Sequence, residues 1–177
     1  MVRMTTRFVP RTGLGYDVHP FEHGRPLILA GIGIEYEFGL AGHSDGDAVL
    51  HALTDALLAA SGEPDLGTRF PAGDDRYRGA DSAALMAEVI AELGARGLQF
   101  GNASIVINAQ SPQLAPHIDA MRARLSALLA PIDPGASPEG MARRIAIAPK
   151  RGEGVGSIGR NEAIAVWASV ILLEPLP

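Results

Sequence analysis

Apolar and polar residues alternate with a period of two near the start of the chain. Residues 12–19 have the alternation of a β-strand, and Pro20 is expected to stop that strand. Residues 26–30 and 32–36 are expected to follow as a hairpin-like pair of strands. Residues 1–11 contain no continuous apolar run, so we predict a short tail, followed by a single domain over residues 12–177.

Helical periodicity begins after these strands. Ser44 is expected to cap a helix that runs to about residue 60, with Asp47 completing a capping box. Its apolar stripe consists of Val49, Leu50, Leu53, Leu57 and Leu58. Residues 61–81 are rich in Gly, Pro and Asp and have no usable period, so we predict a long loop that acts as an active-site flap.

Helical and strand patterns alternate in the second half of the chain. Ser82 is expected to cap a second helix that stops at Gly97, and Pro116 to begin a third helix that ends near Leu129. Strands are predicted over residues 100–108, 144–148 and 163–173. This order predicts an α/β (α+β) fold, in which a mixed β-sheet is covered by helices on one face.

Composition narrows the possible partners. The chain has 177 residues, 47% of them apolar, and a formal net charge of -5 without a local basic patch, which argues against nucleic acid. No apolar stretch approaches the ~20 residues of a membrane helix, so we expect no membrane partner, and the lack of cysteine makes the cytoplasm the expected location. The chain contains no cysteine, which leaves His, Asp and Glu as possible metal ligands.

A candidate metal site combines residues from two predicted elements. Asp17 and His19 are two residues apart on a strand, so both side chains lie on the same face. His51 lies on the inner face of the first helix, and one Asp with two His leaves a fourth position open, as in catalytic zinc sites. Spacing alone favours a packed or solvated His51, and Asp47 or Asp55 could orient His51 instead of binding the ion.

Two further segments could contact a ligand. His43 and Ser44 precede the first helix, whose N-terminal N–H groups favour an anion, although a simple capping role for Ser44 is the plainer interpretation. Residues 109–116 leave a strand between two prolines and carry few side-chain functions. They could contact a planar base through backbone groups, or they could form an ordinary βα loop.

A glycine-rich segment lies near the end of the chain. Gly154, Gly156 and Gly159 match the G-x-G-x-x-G string, but no βαβ unit can follow, so a dinucleotide-binding fold is rejected. Residues 150–160 fit better as a flexible loop with three cations for phosphate oxygens, and Glu153 could hold Mg²⁺. A glycine-rich surface turn is the alternative.

Several motifs resemble the signature of the 2-C-methyl-D-erythritol 2,4-cyclodiphosphate synthase family and occur in the family's order. They are GYDVH at 15–19, HSDGD at 43–47, LHALTDAL at 50–57, DLG at 65–67, FP at 70–71, GADS at 79–82 and PHI at 116–118. The HSDGD block followed by HALTDAL is the most specific match. The resemblance extends from about residue 11 to residue 173.

The resemblance implies a metal-dependent phosphorus–oxygen lyase. The implied substrate is 4-diphosphocytidyl-2-C-methyl-D-erythritol 2-phosphate, which is converted to the cyclic diphosphate and CMP in the non-mevalonate isoprenoid pathway. The implied assembly is a homotrimer with active sites between neighbouring subunits. Zn²⁺ (or another divalent transition metal) would be held by Asp17, His19 and His51, and Mg²⁺ or Mn²⁺ would bind at a second site near Glu153.

The resemblance also assigns site residues, with His43 and Arg151 as catalytic residues. The diphosphate and polyol contacts would be Asp17, Val18, His19, His43, Ser44, Asp65, Leu66 and Gly67. The flap would be Phe70, Pro71, Ala72, Gly73 and Asp74. Cytosine would lie against Ala109, Gln110, Ser111, Pro112, Gln113, Leu114 and Ala115. The phosphate loop would use Lys150, Arg151, Gly152, Glu153, Ser157 and Arg160.

Three positions depart from the family pattern. Arg151 stands where the family usually has a hydroxyl residue, Ala72 replaces a common acidic residue, and Gln113 replaces a frequent lysine. The change at Arg151 keeps open a catalytically weakened relative that binds metal and nucleotide. A zinc phosphohydrolase, which would activate water instead of closing a ring, is a second alternative.

Overall fold

A five-stranded mixed sheet forms the centre of the computed structural model, which describes residues 7–176. The strand order is β4-β1-β7-β5-β6; β5 and β6 are parallel, and the other neighbours are antiparallel. A separate hairpin joins β2 and β3. The strands are β1 (Phe8–His23), β2 (Leu27–Leu29), β3 (Ile32–Ile34), β4 (Phe38–Leu40), β5 (Gln99–Asn108), β6 (Ile145–Lys150) and β7 (Ala163–Pro175).

Helices cover one face of the sheet, in agreement with the predicted α+β architecture. They are α1 (Ala48–Ser61), α2 (Leu66–Arg69), α3 (Ser82–Ala95), α4 (Ile118–Leu129), α5 (Pro138–Ala142) and α6 (Gly156–Gly159). Short 3₁₀ turns are Asp75–Tyr77, Ala115–His117 and Ala130–Ile132. Within residues 7–176, no helix has the length and apolar character that crossing a membrane requires.

The first strand is longer than predicted at both ends. It begins at Phe8, so residues 8–11 of the predicted tail are paired with β7, while residues 1–6 lie outside the described residues. Pro20 does not stop the strand because it lies where β1 changes partner: residues 8–20 pair with β7, and residues 21–23 pair with β4. A proline is tolerated at such a point because the N–H that it lacks is not needed by a continuous ladder.

Both predicted helix caps are displaced. Asp47, not Ser44, caps α1, and Asp81, not Ser82, caps α3, because in each case the aspartate carboxylate accepts from N–H groups of the first turn. Ser44 instead directs its hydroxyl inward, to His51. The stop at Gly97 is confirmed, since this residue has a φ of 76° directly after the helix.

The predicted long loop contains regular structure. Residues 61–81 include α2 and the 3₁₀ turn at Asp75–Tyr77, both capped by aspartates, and the connector predicted after the third helix contains α5. These helices have only three to five residues, too few for a helical period to be seen in the sequence. The three-residue strand β4 was not predicted.

Helix α1 lies directly on the backbone of β1. An ideal Cβ atom at Gly13 would lie 1.9 Å from the Ala56 carbonyl oxygen, and one at Gly15 would lie 2.0 Å from the Ala52 carbonyl oxygen. No side chain fits at either position. The two glycines therefore allow a helix–strand approach that brings side chains of α1 beside those of β1.

We expect Gly15→Ala to destabilise the protein, because its methyl group would overlap the Ala52 carbonyl and push α1 off the strand. The expected loss in the free energy of unfolding is about 1–3 kcal/mol, the usual cost of overpacking. Urea denaturation measures it. Gly33→Ala is the matched control, since its Cβ would meet no atom within 4 Å. Equal stability of the two variants would contradict the close approach.

Candidate metal centre and ligand cavities

Three potential metal ligands converge between β1 and α1. The Asp17 carboxylate oxygen Oδ2 lies 2.8 Å from Nε2 of His19 and 3.0 Å from Nδ1 of His51. The two imidazole nitrogens are 3.1 Å apart. Within residues 7–176, these side chains are the one group of three or more His, Asp or Glu residues close enough to share an ion. The predicted triad is thus brought together by the fold.

The triad has the size and accessibility of a zinc site. Ligands at 2.0–2.1 Å from a tetrahedral ion stand about 3.3 Å from one another, so the donor atoms need to move apart by about half an ångström or less. The side chains remain 23% (Asp17), 15% (His19) and 12% (His51) exposed. One carboxylate and two imidazoles fit Zn²⁺ and similar divalent transition metals, and the open side can accept a further oxygen ligand.

Hydrogen bonds at the outer nitrogens orient both imidazoles. Nδ1 of His19 donates to the Ala41 carbonyl, so a neutral ring has its lone pair on Nε2, the nitrogen that an ion held with Asp17 would contact. Nε2 of His51 lies 2.9 Å from the hydroxyl oxygens of both Ser44 and Ser82. Neither contact was predicted from the sequence, because nothing in the local pattern of a serine reveals a distant histidine.

The two aspartates considered as partners of His51 serve other purposes. Asp47 accepts from the backbone N–H groups of its own helix and of the β2–β3 turn. Asp55 accepts from the Leu66 N–H at 2.7 Å and so joins α1 to α2. The alternative in which Asp47 or Asp55 orients His51 is therefore wrong, and Ser44 and Ser82 contact the outer ring nitrogen instead.

The charge of the triad follows from its pKa shifts. Burial opposes ionisation of Asp17, but hydrogen bonds with His19 and His51 outweigh it and lower the Asp17 pKa to about 2. Burial likewise opposes protonation of His19, yet the bond to Asp17 raises the His19 pKa above its ordinary value. The Asp17 carboxylate is therefore ionised, and a divalent ion bound there would take the place of the imidazole protons that this carboxylate otherwise accepts.

A cavity of about 220 Å³ opens beside the triad. Its lining comprises His19, His43, Ser44, His51, Leu66, Gly67, Phe70, Ala72, Tyr77 and Leu85. All but Tyr77 and Leu85 were predicted as metal or substrate residues. Tyr77 packs edge-on against Phe70 with ring centroids 5.2 Å apart. Its position as an aromatic residue in a polar loop could have indicated a ligand-binding role from the sequence. Leu85 was assigned only to the core stripe of its helix.

His43 lines the cavity beside the triad. Its Nε2 atom is buried and has no hydrogen-bond partner in the part of the chain that the structure describes. The residue also lines a neighbouring polar cavity that contains Arg25 and Arg78, neither of which was predicted. Arg25 donates to the carbonyls of Gly42 and Ser44 and thereby holds the loop before α1. The free imidazole nitrogen fits contact with a bound anion.

Several predicted substrate residues lie outside this cavity. The Val18 side chain is on the opposite face of the sheet, because alternation places it away from Asp17, although its N–H donates to the Asp17 carboxylate at 2.9 Å. Asp65 caps α2, and Asp74 caps the following 3₁₀ turn. Of the remaining predicted flap residues, Pro71 and Gly73 do not line the cavity beside the triad.

A second cavity, of about 320 Å³, forms at the ends of β5 and β6. Its lining is Ala109, Gln110, Ser111, Pro112, Gln113, Leu114, Ala115, Pro149, Lys150 and Arg151, so the predicted base segment and two predicted cations come together. His19 and Asn108 pair with adjacent residues of β7 from opposite sides. Strand β7 lies between β1 and β5, so the backbones of His19 and Asn108 are about 10 Å apart. The two sites therefore lie at the same end of the sheet.

The glycine-rich loop forms a compact turn. A Cβ atom at Gly152 would lie 2.4 Å from the Gly159 nitrogen, so the glycines permit close backbone contact and not dinucleotide binding. Glu153 and Ser157 are exposed, and Arg160 is paired with Glu162 at 2.7 Å. None of Gly152, Glu153, Ser157 and Arg160 lines either cavity.

Together these features define an α+β protein with a carboxylate–bis-histidine metal site beside a ligand cavity. The sequence matches the family model described as the YgbB family over residues 10–173. The chain therefore belongs to the YgbB family, and the family recognised from the sequence motifs is confirmed by relatives named 2-C-methyl-D-erythritol 2,4-cyclodiphosphate synthase.

Similar proteins cover nearly the whole chain. The synthase of Moorella thermoacetica is 47% identical over 93% of this chain and 95% of its own length. That of Burkholderia thailandensis is 44% identical over 93% and 96%. A solved 2C-methyl-D-erythritol-2,4-cyclodiphosphate synthase structure in a CDP-bound form has a TM-score of 0.78 and 38% identity, covering 92% of this chain and 99% of its own.

A longer protein shares the same fold. The bifunctional IspDF of Campylobacter jejuni has a TM-score of 0.86 and is 37% identical over 96% of this chain. This chain spans 44% of the length of that protein. The similarity thus concerns one part of a two-function chain.

We expect His51→Ala to lose bound zinc, because removing Nδ1 leaves a two-ligand set. Arg151→Thr should keep its zinc, since Arg151 lines the other cavity. Metal analysis of the purified proteins after dialysis measures both. Equal zinc content in the wild type and His51→Ala would show that the ligand set is wrong.

Proposed function

We propose that the protein is a 2-C-methyl-D-erythritol 2,4-cyclodiphosphate synthase of the non-mevalonate isoprenoid pathway. It would act as a lyase that converts 4-diphosphocytidyl-2-C-methyl-D-erythritol 2-phosphate into the cyclic diphosphate and CMP. The observation that carries the proposal is the Asp17–His19–His51 triad, which opens into a cavity formed by family-motif residues. The names of relatives up to 47% identical agree with it.

The reaction needs positioning more than it needs a protein nucleophile. An oxygen of the 2-phosphate forms a bond to the β-phosphorus, and the bond from that phosphorus to the bridging oxygen of CMP breaks, so CMP leaves with the electron pair. A divalent ion on the triad supplies charge neutralisation for the diphosphate oxygens. The protein holds the two reacting phosphates near each other and in line.

Side chains around the triad would hold the phosphates and the polyol. His43 would donate from its otherwise unpartnered ring nitrogen to a phosphate oxygen. Ser44 uses its hydroxyl for His51, so its phosphate contact would come from the backbone. The apolar wall formed by Leu66 and Phe70 would cover the methyl-bearing polyol. Asp65 is exposed beside this wall and would accept from the polyol hydroxyls once the flap of residues 70–74 closes.

The second cavity would hold the nucleotide. Residues 109–115 would read cytosine mainly through backbone groups, and Lys150 and Arg151 would neutralise the CMP phosphate. A guanidinium can replace a hydroxyl in that role because it offers several N–H donors in a planar fork. Glu153 would hold Mg²⁺ or Mn²⁺ together with substrate phosphates, as single carboxylates do in many phosphoryl-transfer sites.

An exposed apolar surface supports the proposed homotrimer. On the sheet face opposite the helices, Leu14 is 68% exposed, Tyr16 49%, Val18 43% and Trp167 39%. Tyr16 and Trp167 pack together with ring centroids 5.1 Å apart. Contiguous apolar surface of this kind is typical of protein interfaces. Neighbouring subunits packed through this face would form active sites between them and close the open sides of the cavities.

We expect the wild type to elute as a trimer and Tyr16→Glu as a monomer, because the substitution places a charge in the centre of this apolar face. Size-exclusion chromatography with light scattering measures the mass. Ala87→Glu adds the same charge to an exposed position of α3 and should remain trimeric. A monomeric wild type would remove the trimer from the proposal.

We expect the purified protein with divalent metal to release CMP and form a cyclic diphosphate, because the triad can hold a divalent ion and the second cavity can hold the nucleotide. Chromatography quantifies CMP, and phosphorus NMR distinguishes a ring from an open ester. Only an open ester would indicate a zinc phosphohydrolase. Tight binding of CDP without any CMP release would indicate a binding relative without synthase activity.

A further inference from the structure

The outer nitrogen of His51 contacts a hydroxyl that is itself tied to a carboxylate. Ser82, the first residue of α3, is only 2% exposed, and its Oγ lies 2.9 Å from Nε2 of His51. The same hydroxyl donates to Oδ1 of Asp45. Ser82 and Asp45 belong to neither cavity lining and have no role in the proposed chemistry.

The direction of these hydrogen bonds follows from the groups involved. The carboxylate oxygen of Asp45 accepts, so the single hydrogen of the Ser82 hydroxyl is directed to it. The Ser82 oxygen is then an acceptor toward His51, and Nε2 must carry the ring proton. A neutral imidazole protonated at Nε2 has its lone pair on Nδ1, the atom that faces Asp17 and His19.

Ser44 cannot impose this direction by itself. Its Oγ is also 2.9 Å from Nε2 of His51 and accepts weakly from the Gly46 N–H at 3.3 Å. No carboxylate takes the Ser44 hydrogen among its contacts within residues 7–176. The Ser44 hydroxyl can therefore rotate and either donate to His51 or accept from it.

Backbone hydrogen bonds hold in place the chain of hydrogen bonds from Asp45 through Ser82 to His51, which we call the relay. Asp45 accepts from the Ser82 N–H at 3.2 Å, and its own N–H donates to the Ala80 carbonyl at 3.1 Å. The Gly79 N–H donates to the His43 carbonyl at 2.7 Å. The loop before α1 is thus fixed to the N-terminal end of α3, and the hydroxyl has little freedom to leave His51.

We infer that Ser82 and Asp45 are positioning residues, which act through His51 by holding its ring in the tautomer and orientation that present Nδ1 to the metal. This inference rests on the metal role proposed for Asp17, His19 and His51. The metal ligands come from β1 and α1, and the relay adds Ser82 from α3 and Asp45 from the loop before α1.

The test compares zinc affinity by competition with a chromophoric chelator. Ser82→Ala should bind zinc about 10- to 100-fold more weakly than the wild type, the usual effect of losing an outer hydrogen bond to a ligating histidine. Ser82→Thr, which keeps the hydroxyl, should recover most of that loss. Ser126→Ala is the matched control, because it removes a buried hydroxyl bonded only within α4.

Asp45→Ala provides a second, less buried substitution. It keeps the Ser82 hydroxyl but frees its hydrogen, so His51 can adopt the other tautomer and zinc affinity should again fall. The visible spectrum of the Co²⁺-loaded protein should change in Ser82→Ala and Asp45→Ala, because the orientation of a ligating imidazole changes. If Ser82 and Asp45 had only a structural role, the Co²⁺ spectra of both variants would match that of Ser126→Ala.

The outcomes separate this inference from the proposed function. Wild-type zinc affinity and an unchanged Co²⁺ spectrum in both Ser82→Ala and Asp45→Ala would overturn the relay and leave the metal triad intact. A wild-type protein that binds no zinc would overturn the triad and the relay together. Weaker zinc binding in both variants, with Ser126→Ala unchanged, supports the relay even if no CMP is formed.

Discussion

The contact between α1 and β1 is the constraint on which the site depends. Two of the metal ligands belong to the strand and one to the helix, so their distance is set by how closely these elements pack. Gly13 and Gly15 place no side chain between the two elements, and the Ala56 and Ala52 carbonyls of the helix lie against the strand backbone there. With ordinary side chains between them, helix and strand would lie farther apart, beyond the reach of an aspartate and a histidine sharing one ion.

Asp47 fixes the position of α1 along the strand. Its buried carboxylate accepts from two N–H groups of α1 and from the N–H groups of Ala30 and Gly31 in the β2–β3 turn. Burial raises the Asp47 pKa to about 6, while these backbone donors oppose that rise. The glycines thus set the separation of helix and strand, and the aspartate sets the axial position, so His51 has little freedom relative to Asp17.

Periodicity made Asp17, His19 and His51 candidate ligands and the family resemblance selected them, but neither could reveal the residues that support them. A period of two places Asp17 and His19 on one face, and the same rule places Val18 on the other. The caps at Asp47 and Asp81 were misassigned because Ser44 and Ser82 fit the local cap pattern equally well. Their actual use, contact with His51, depends on residues 7 and 31 positions away, and such contacts leave no trace in local spacing.

The division of the site between rigid and loop elements suits an intramolecular phosphoryl transfer. The metal ligands come from the longest strand and a 14-residue helix, whereas the proposed substrate contacts lie mostly on loops and at element ends. In a ring closure, nucleophile and electrophile belong to one molecule, so the protein has only to fold that molecule and neutralise its charge.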